Sequence, residues 1–124
     1  MADKTYLQWP FFEERHRRLS EALEEWATKH LAELDHSNTD ELCKRLVSML
    51  GEGGWCQHTA VDPAESSSTL DARSLCLIRE TLARHDGLAD FSFAMQGLGP
   101  VPSLYTVQLN NNHSGYPLRV PVRR

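Results

Sequence analysis

Cys43, Cys56, His58, Cys76 and His85 are the side chains to weigh first for metal ligation or thiolate chemistry. Zinc sites are built from ligand pairs a few residues apart. Here Cys56 and His58 have a single residue between them and Cys43 and Cys76 stand alone, so the spacing gives no metal site and the thiols read as structural. A cysteine nucleophile would need a histidine base and an orienting acid, which only the fold can bring together. Arg15, Arg17 and Arg18 could form a basic docking patch, but Glu13 and Glu14 precede them, and the group reads as a solvated face. Gly51, Gly53 and Gly54 lack both the preceding strand and the following Lys-Ser/Thr pair of a phosphate cradle. No catalytic residue is assigned.

The elements that must position these groups are bounded by length and composition. At 124 residues the chain has room for one domain with one modest core. A formal charge of −4, with 40% hydrophobic and 24% charged residues, describes a soluble, slightly acidic protein and argues against a nucleic-acid partner. The apolar runs fall far short of the roughly 20 residues that cross a bilayer, so no membrane span is expected. The opening MADKTYLQWPFF lacks the features of a signal or transit peptide. Three widely spaced cysteines suit a reducing compartment, and a cytoplasmic location is the expectation.

The pattern of apolar residues predicts an all-α fold. Pro10 suits a helix entrance, and from Glu13 onward Phe12, Leu19, Leu23, Trp26, Leu31 and Leu34 recur at helical spacing, giving an amphipathic helix of about six turns. Asn38 with Glu41 three residues later has the form of a reciprocal N-cap. It opens a second helix with the stripe Leu42, Leu46, Met49 and Leu50, for which Gly51 would be the left-handed cap. Gly53 and Gly54 turn the chain so that Trp55 enters the core. A surface loop is expected over residues 57–69. Asp71 caps a third helix with the stripe Leu75, Ile78 and Leu82, closing at His85, where the helix dipole favours a cation, and at Asp86 and Gly87. A fourth helix runs from Leu88 or Ala89 to Gln96, burying Phe91, Met95 and Leu98 on one side and Phe93 or Ala94 on the other. A helix apolar on both sides is buried on both, or lines a pocket with one.

The order of these features resembles the N-terminal helical domain of acyl-CoA dehydrogenases over about residues 8–100. The resemblance is carried by WPF before the first helix, by Leu50-Gly51-Glu52-Gly53-Gly54-Trp55 after the second, and by Ile78-Arg79-Glu80-Thr81-Leu82-Ala83 in the third. One departure is visible: the family's loop carries paired glycines after a proline and an acidic residue, whereas Pro63-Ala64-Glu65-Ser66 has none. The resemblance implies an up-and-down helical domain of about four helices over residues 1–100.

Residues 101–124, VPSLYTVQLNNNHSGYPLRVPVRR, show no helical periodicity and read as an irregular tail. Joining each codon's last base to the first two of the next permits Y-G-x-V-E-Q-Q-P-F-W-L-P from Tyr105 to Pro117, in step with the family's Y-G-x-x-E-Q-K-x-x-[YW]-L-P. The expectation is a coding frame broken near Val101, with a natural extended tail as the alternative.

What the resemblance implies about function is a fragment of an FAD-dependent acyl-CoA dehydrogenase, an oxidoreductase of fatty acid metabolism. In that family the flavin takes a hydride from the β-carbon of an acyl-CoA while a glutamate takes the α-proton. A β-domain and a C-terminal helical domain supply most flavin contacts and the base, so this chain is expected to be inactive alone and not to hold FAD unaided. The parent enzyme is expected to be a homo-oligomer. Phe91, Met95 and Gln96 are the candidates to line an acyl pocket, with ordinary core residues as the competing reading. The alternative function is a small helical protein-protein interaction module without catalysis.

Overall fold

The computed structural model describes residues 3–61 and 69–98. The tail over 101–124, most of the serine-rich loop and the side chain of Leu98 lie outside the described residues. Within them the fold is all-α, with four helices: α1 Glu14–His30, α2 Thr39–Glu52, α3 Ala72–His85 and α4 Gly87–Leu98. Two 3-10 turns, Thr5–Gln8 and Trp55–Thr59, complete the regular structure.

Each helix start has a local chemical cause. Asn38 Oδ1 accepts from the Glu41 amide at 3.3 Å, and Asp71 Oδ1 accepts from the Arg73 amide at 3.2 Å, satisfying donors that have no partner within the helix. The Asn38 cap is not reciprocal, because the Glu41 carboxylate instead takes Lys44 Nζ at 2.9 Å. Asp86 both ends α3 and starts α4: its amide donates to Leu82 O, and its Oδ1 accepts from the amides of Leu88 and Ala89, each at 2.9 Å.

Three boundaries differ from the sequence-based expectation. Pro10 does not open α1. The chain makes a 3-10 turn over Thr5–Gln8, and the helix begins after Glu13, which shares a capping box with His16. At its other end α1 stops at His30, yet Leu31 is still buried and Leu34 still packs on the core from the following turn. Gly51 is an ordinary helical residue of α2, and the left-handed position is Gly54, at φ +79°. Helix α2 therefore runs one turn further before the chain reverses into Trp55.

Helix α3 packs against α1 on one side and α4 on the other, while α2 packs on α4 and the Trp55–Thr59 turn touches α2, α3 and α4. The core they enclose joins Leu23, Ala27 and Leu31 to Leu42, Leu46 and Leu50, to Trp55, to Ile78 and Leu82, and to Ala89 and Phe93. Truncating a side chain as enclosed as Leu46, Ile78 or Phe93 costs about 2–5 kcal/mol. No helix of the described residues is long and apolar enough to cross a membrane.

The segment before α1 is strapped across the α1–α3 seam. Lys4 Nζ bonds Glu24 Oε2 at 2.7 Å, and Tyr6 Oη donates to Glu80 Oε2 at 2.7 Å. Leu7 is buried, and Arg17 Nη1 donates to Leu7 O and Phe12 O. Burial, reinforced by the Glu80 carboxylate, pushes the Tyr6 phenol up to about 12.

Candidate functional site

The thiols and imidazoles named from the sequence do not converge. Cys43 and Cys56 are half-buried, Cys76 is exposed, and all three are free. No group of three His, Cys, Asp or Glu side chains among the described residues is arranged to hold a metal ion. His85 closes α3 as expected, but its Nε2 donates to Glu24 Oε1 across the seam at 2.8 Å. Arg15, Arg17 and Arg18 are paired with Glu13 or Glu14 along the first turn of α1.

One constellation was hidden from the sequence, because its members lie 55 residues apart. His16, wholly buried, places Nε2 at 2.8 Å from Asp71 Oδ2, and Ser74 Oγ donates to the same carboxylate oxygen at 2.8 Å. Arg15 Nη1 completes the group at 3.2 Å from Asp71 Oδ2. Burial alone would raise the Asp71 carboxyl, but the bonds from His16 and Ser74 and the Arg15 charge outweigh it and hold the group well below the usual carboxylate range. A Ser-His-Asp set of this composition invites comparison with an acyl-transfer triad, and its wiring excludes that role. In a triad the imidazole accepts the serine proton at one nitrogen and donates to the acid from the other. Here His16 Nδ1 already accepts the Glu13 amide at 3.0 Å and Ser74 donates to Asp71, leaving no basic nitrogen facing the hydroxyl. The set fastens the first turn of α1 to the start of α3.

The arrangement with room for a ligand lies beside α4. Thr59, Leu70, Leu75, Phe93, Ala94 and Gly97 line a shallow apolar groove of about 280 Å³, with Arg79 at its rim. Arg79 is held in a two-point pair with Asp90, Nε to Oδ1 at 2.9 Å and Nη2 to Oδ2 at 3.0 Å. The groove can take an apolar chain segment by contact; its cation is already matched.

The three residues expected to line a pocket divide differently around α4. Phe91 is 58% exposed and Met95 43% exposed, on the outer face one turn apart. Gln96 is half-buried, its Nε2 donating to Ser92 O at 3.4 Å. None of the three lines the groove, which Phe93, Ala94 and Gly97 form instead. The expectation that Phe91 and Met95 are buried is thus corrected: Ala89, Ser92 and Phe93 take the core-facing positions. A helix of mixed apolar residues with Asp90 as its only charge offers no polar face by which the sequence could have marked the solvent side.

Neither the groove beside α4 nor the depression along the middle of α1 fits a flavin. A dinucleotide needs a deep cleft with a cation or helix terminus for its pyrophosphate. The groove beside α4 is small, and its one arginine is neutralised by Asp90. The larger depression along α1, about 560 Å³, is lined by Glu21, Glu24 and Glu25 with Lys4 and Lys29, a surface that opposes an anionic ligand.

No protein-family model matches the sequence, and no curated protein matches it.

Proposed function

We propose that this chain is the helical N-terminal part of an FAD-dependent acyl-CoA dehydrogenase, forming one wall of an acyl site that other domains complete, and that it is not catalytic alone. The observation that carries the reading is the outer face of α4. Phe91 and Met95 stand in solvent directly beside an apolar groove, with no charged residue between them along the helix. A surface helix that completes its own domain carries a polar outer face; an apolar one is completed by contact with something else. Of the short strings that resemble the family, LGEGGW falls at the end of α2 and IRETLA within α3, which supplies Leu75 and Arg79 to this groove.

Chemistry in such an enzyme belongs to the flavin and to a carboxylate base, both contributed outside the described residues. What these residues contribute is apolar surface: Leu70, Leu75 and Ala94 offer contact to a hydrocarbon chain and exclude water from it, over a floor closed by the buried Phe93. A small interaction module without catalysis rests on the same exposed pair and remains the second reading.

Sequencing the coding DNA past codon 100 separates the two. An open frame, shifted by one base and running on into an alternating apolar β-domain pattern, is the expected result. A stop codon in that frame within a few dozen bases would remove the frame-break reading and leave the interaction module.

A further inference from the structure

Among the described histidines, His16 is wholly buried and holds one nitrogen as an acceptor and the other as a donor. Because Nδ1 accepts the Glu13 amide, the ring proton sits on Nε2, from which it is donated to Asp71. The Glu13 carboxylate in turn accepts the His16 amide, so the same imidazole closes the capping box that joins the strap to α1. Adding a proton at Nδ1 turns the acceptor into a donor facing the Glu13 N–H, and two donors cannot share that contact.

We infer that His16 is a proton-operated clasp: protonation of Nδ1 breaks its bond with the Glu13 amide and opens the capping box at the start of α1. The proton is taken from solvent, and no other bond is made or broken.

The charges around the ring fix the sense and the extent of the response. On the α3 side it meets Asp71, which favours an imidazolium, and Ser74, which serves that carboxylate. Arg15 approaches Asp71 from α1 and opposes a new positive charge, while His58 of the second 3-10 turn lines the same depression with burial favouring its neutral form. Arg73 of α3 grips the strap through Phe11 O at 2.9 Å and Glu13 Oε1 at 2.8 Å, neither of which changes with an imidazole proton. The Phe12 ring packs edge-on against the imidazole at 5.9 Å between centroids. At the far end of the strap, the Lys4 pair with Glu24 also persists, because that carboxyl is held down to about 2. Opening is therefore confined to the Glu13 amide and the capping box, while Arg73 keeps Phe11 and Glu13 on α3. His36 provides the contrast. Its Nδ1 faces Leu34 O at 3.0 Å and its Nε2 faces Asp86 at 2.6 Å, two acceptors, so a second ring proton breaks nothing there.

Side-chain nitrogen NMR of the full chain tests the clasp. At pH 8 His16 is expected as the Nε2–H tautomer. Once acidification has added the second ring proton, as the ring nitrogens report, protection of the Glu13 amide against hydrogen exchange, corrected for intrinsic chemistry, is expected to fall by about tenfold or more, while the Leu88 and Ala89 amides above Asp86 keep theirs. His16→Asn, whose Oδ1 can take the place of Nδ1 without titrating, is expected to remove the pH response. An Nδ1–H tautomer at pH 8, or unchanged Glu13 protection once Nδ1 is protonated, overturns the inference in the wild-type chain whether or not the variant folds.

Discussion

The indole of Trp55 occupies the space that a side chain on Gly53 would need: a Cβ built there lies 2.7 Å from Trp55 Nε1 and 2.8 Å from its Cδ1. Trp26 closes the same space from α1, with its Nε1 3.1 Å away, and the two indoles meet edge to face at 5.9 Å. Three glycines of one short stretch should therefore respond differently to alanine. Gly53→Ala forces two aromatic rings apart and is expected to destabilise by about 1–3 kcal/mol. Gly54→Ala places a side chain at φ +79° and is expected to cost about 1–2 kcal/mol. Gly51→Ala adds a methyl group with no neighbour inside 4 Å, in a helix, and is expected to stabilise by about 0.5–1 kcal/mol. Urea unfolding of the three variants checks the order.

That stretch also shows where reading the sequence succeeds and where it stops. The caps at Asn38 and Asp71 were legible because capping is chemistry between residues two or three apart, and Trp55 was legible because a turn must deliver so large an apolar ring to the core. Which glycine turns left-handed was not, since Gly51, Gly53 and Gly54 are equally free to do so until the packing of two tryptophans decides. The orientation of α4 was illegible for a related reason: Phe91, Phe93 and Met95 are interchangeable by hydropathy, and only the neighbouring α2 and α3 choose Phe93. The His16–Asp71 bond left no local trace at all, as it joins two helix starts that look self-sufficient in sequence.

Acid should weaken the fold through two carboxylates. Glu24 is lowered to about 2: burial raises it, but the bonds from Lys4, His85 and Arg84 win. Asp71 is lowered further by His16, Ser74 and Arg15. A carboxyl with a folded pKa below its unfolded one binds fewer protons when folded, so its contribution is full above the unfolded value and disappears as pH falls toward the folded one. Stability is therefore expected to fall progressively from about pH 5 toward pH 2. Asp71→Asn, which keeps the shape of the cap and loses the charge, is expected to cost about 1–3 kcal/mol at neutral pH and to flatten the acid limb. Chemical denaturation repeated across that range measures both effects.

The three free thiols should differ in reactivity because the fold exposes them differently. Cys76 points outward from α3 and is expected to react first with a disulfide reagent. Cys56 is half-buried, and burial pushes its thiol up, reducing the thiolate that attacks; it is expected to react last. Stopped-flow labelling followed by peptide mapping gives the order. Cys56 reacting as fast as Cys76 under native conditions would mean that the turn over Trp55–Thr59 opens readily.

Phe91 and Phe93 lie two residues apart on α4, and their opposite burial makes a direct test of the uncovered face. Phe93 is enclosed by the core, so Phe93→Ala is expected to destabilise by about 3–5 kcal/mol. Phe91 is mostly in solvent, so Phe91→Ser combined with Met95→Gln is expected to change stability by no more than about 0.5 kcal/mol. What the double variant should change is association. Exposed phenylalanine and methionine one helical turn apart, with no charge between them, favour self-contact at high concentration, and sedimentation is expected to show less of it once both are polar. If the double variant instead unfolds as easily as Phe93→Ala, the outer face of α4 is covered within the chain itself, and the case for a missing partner domain disappears with it.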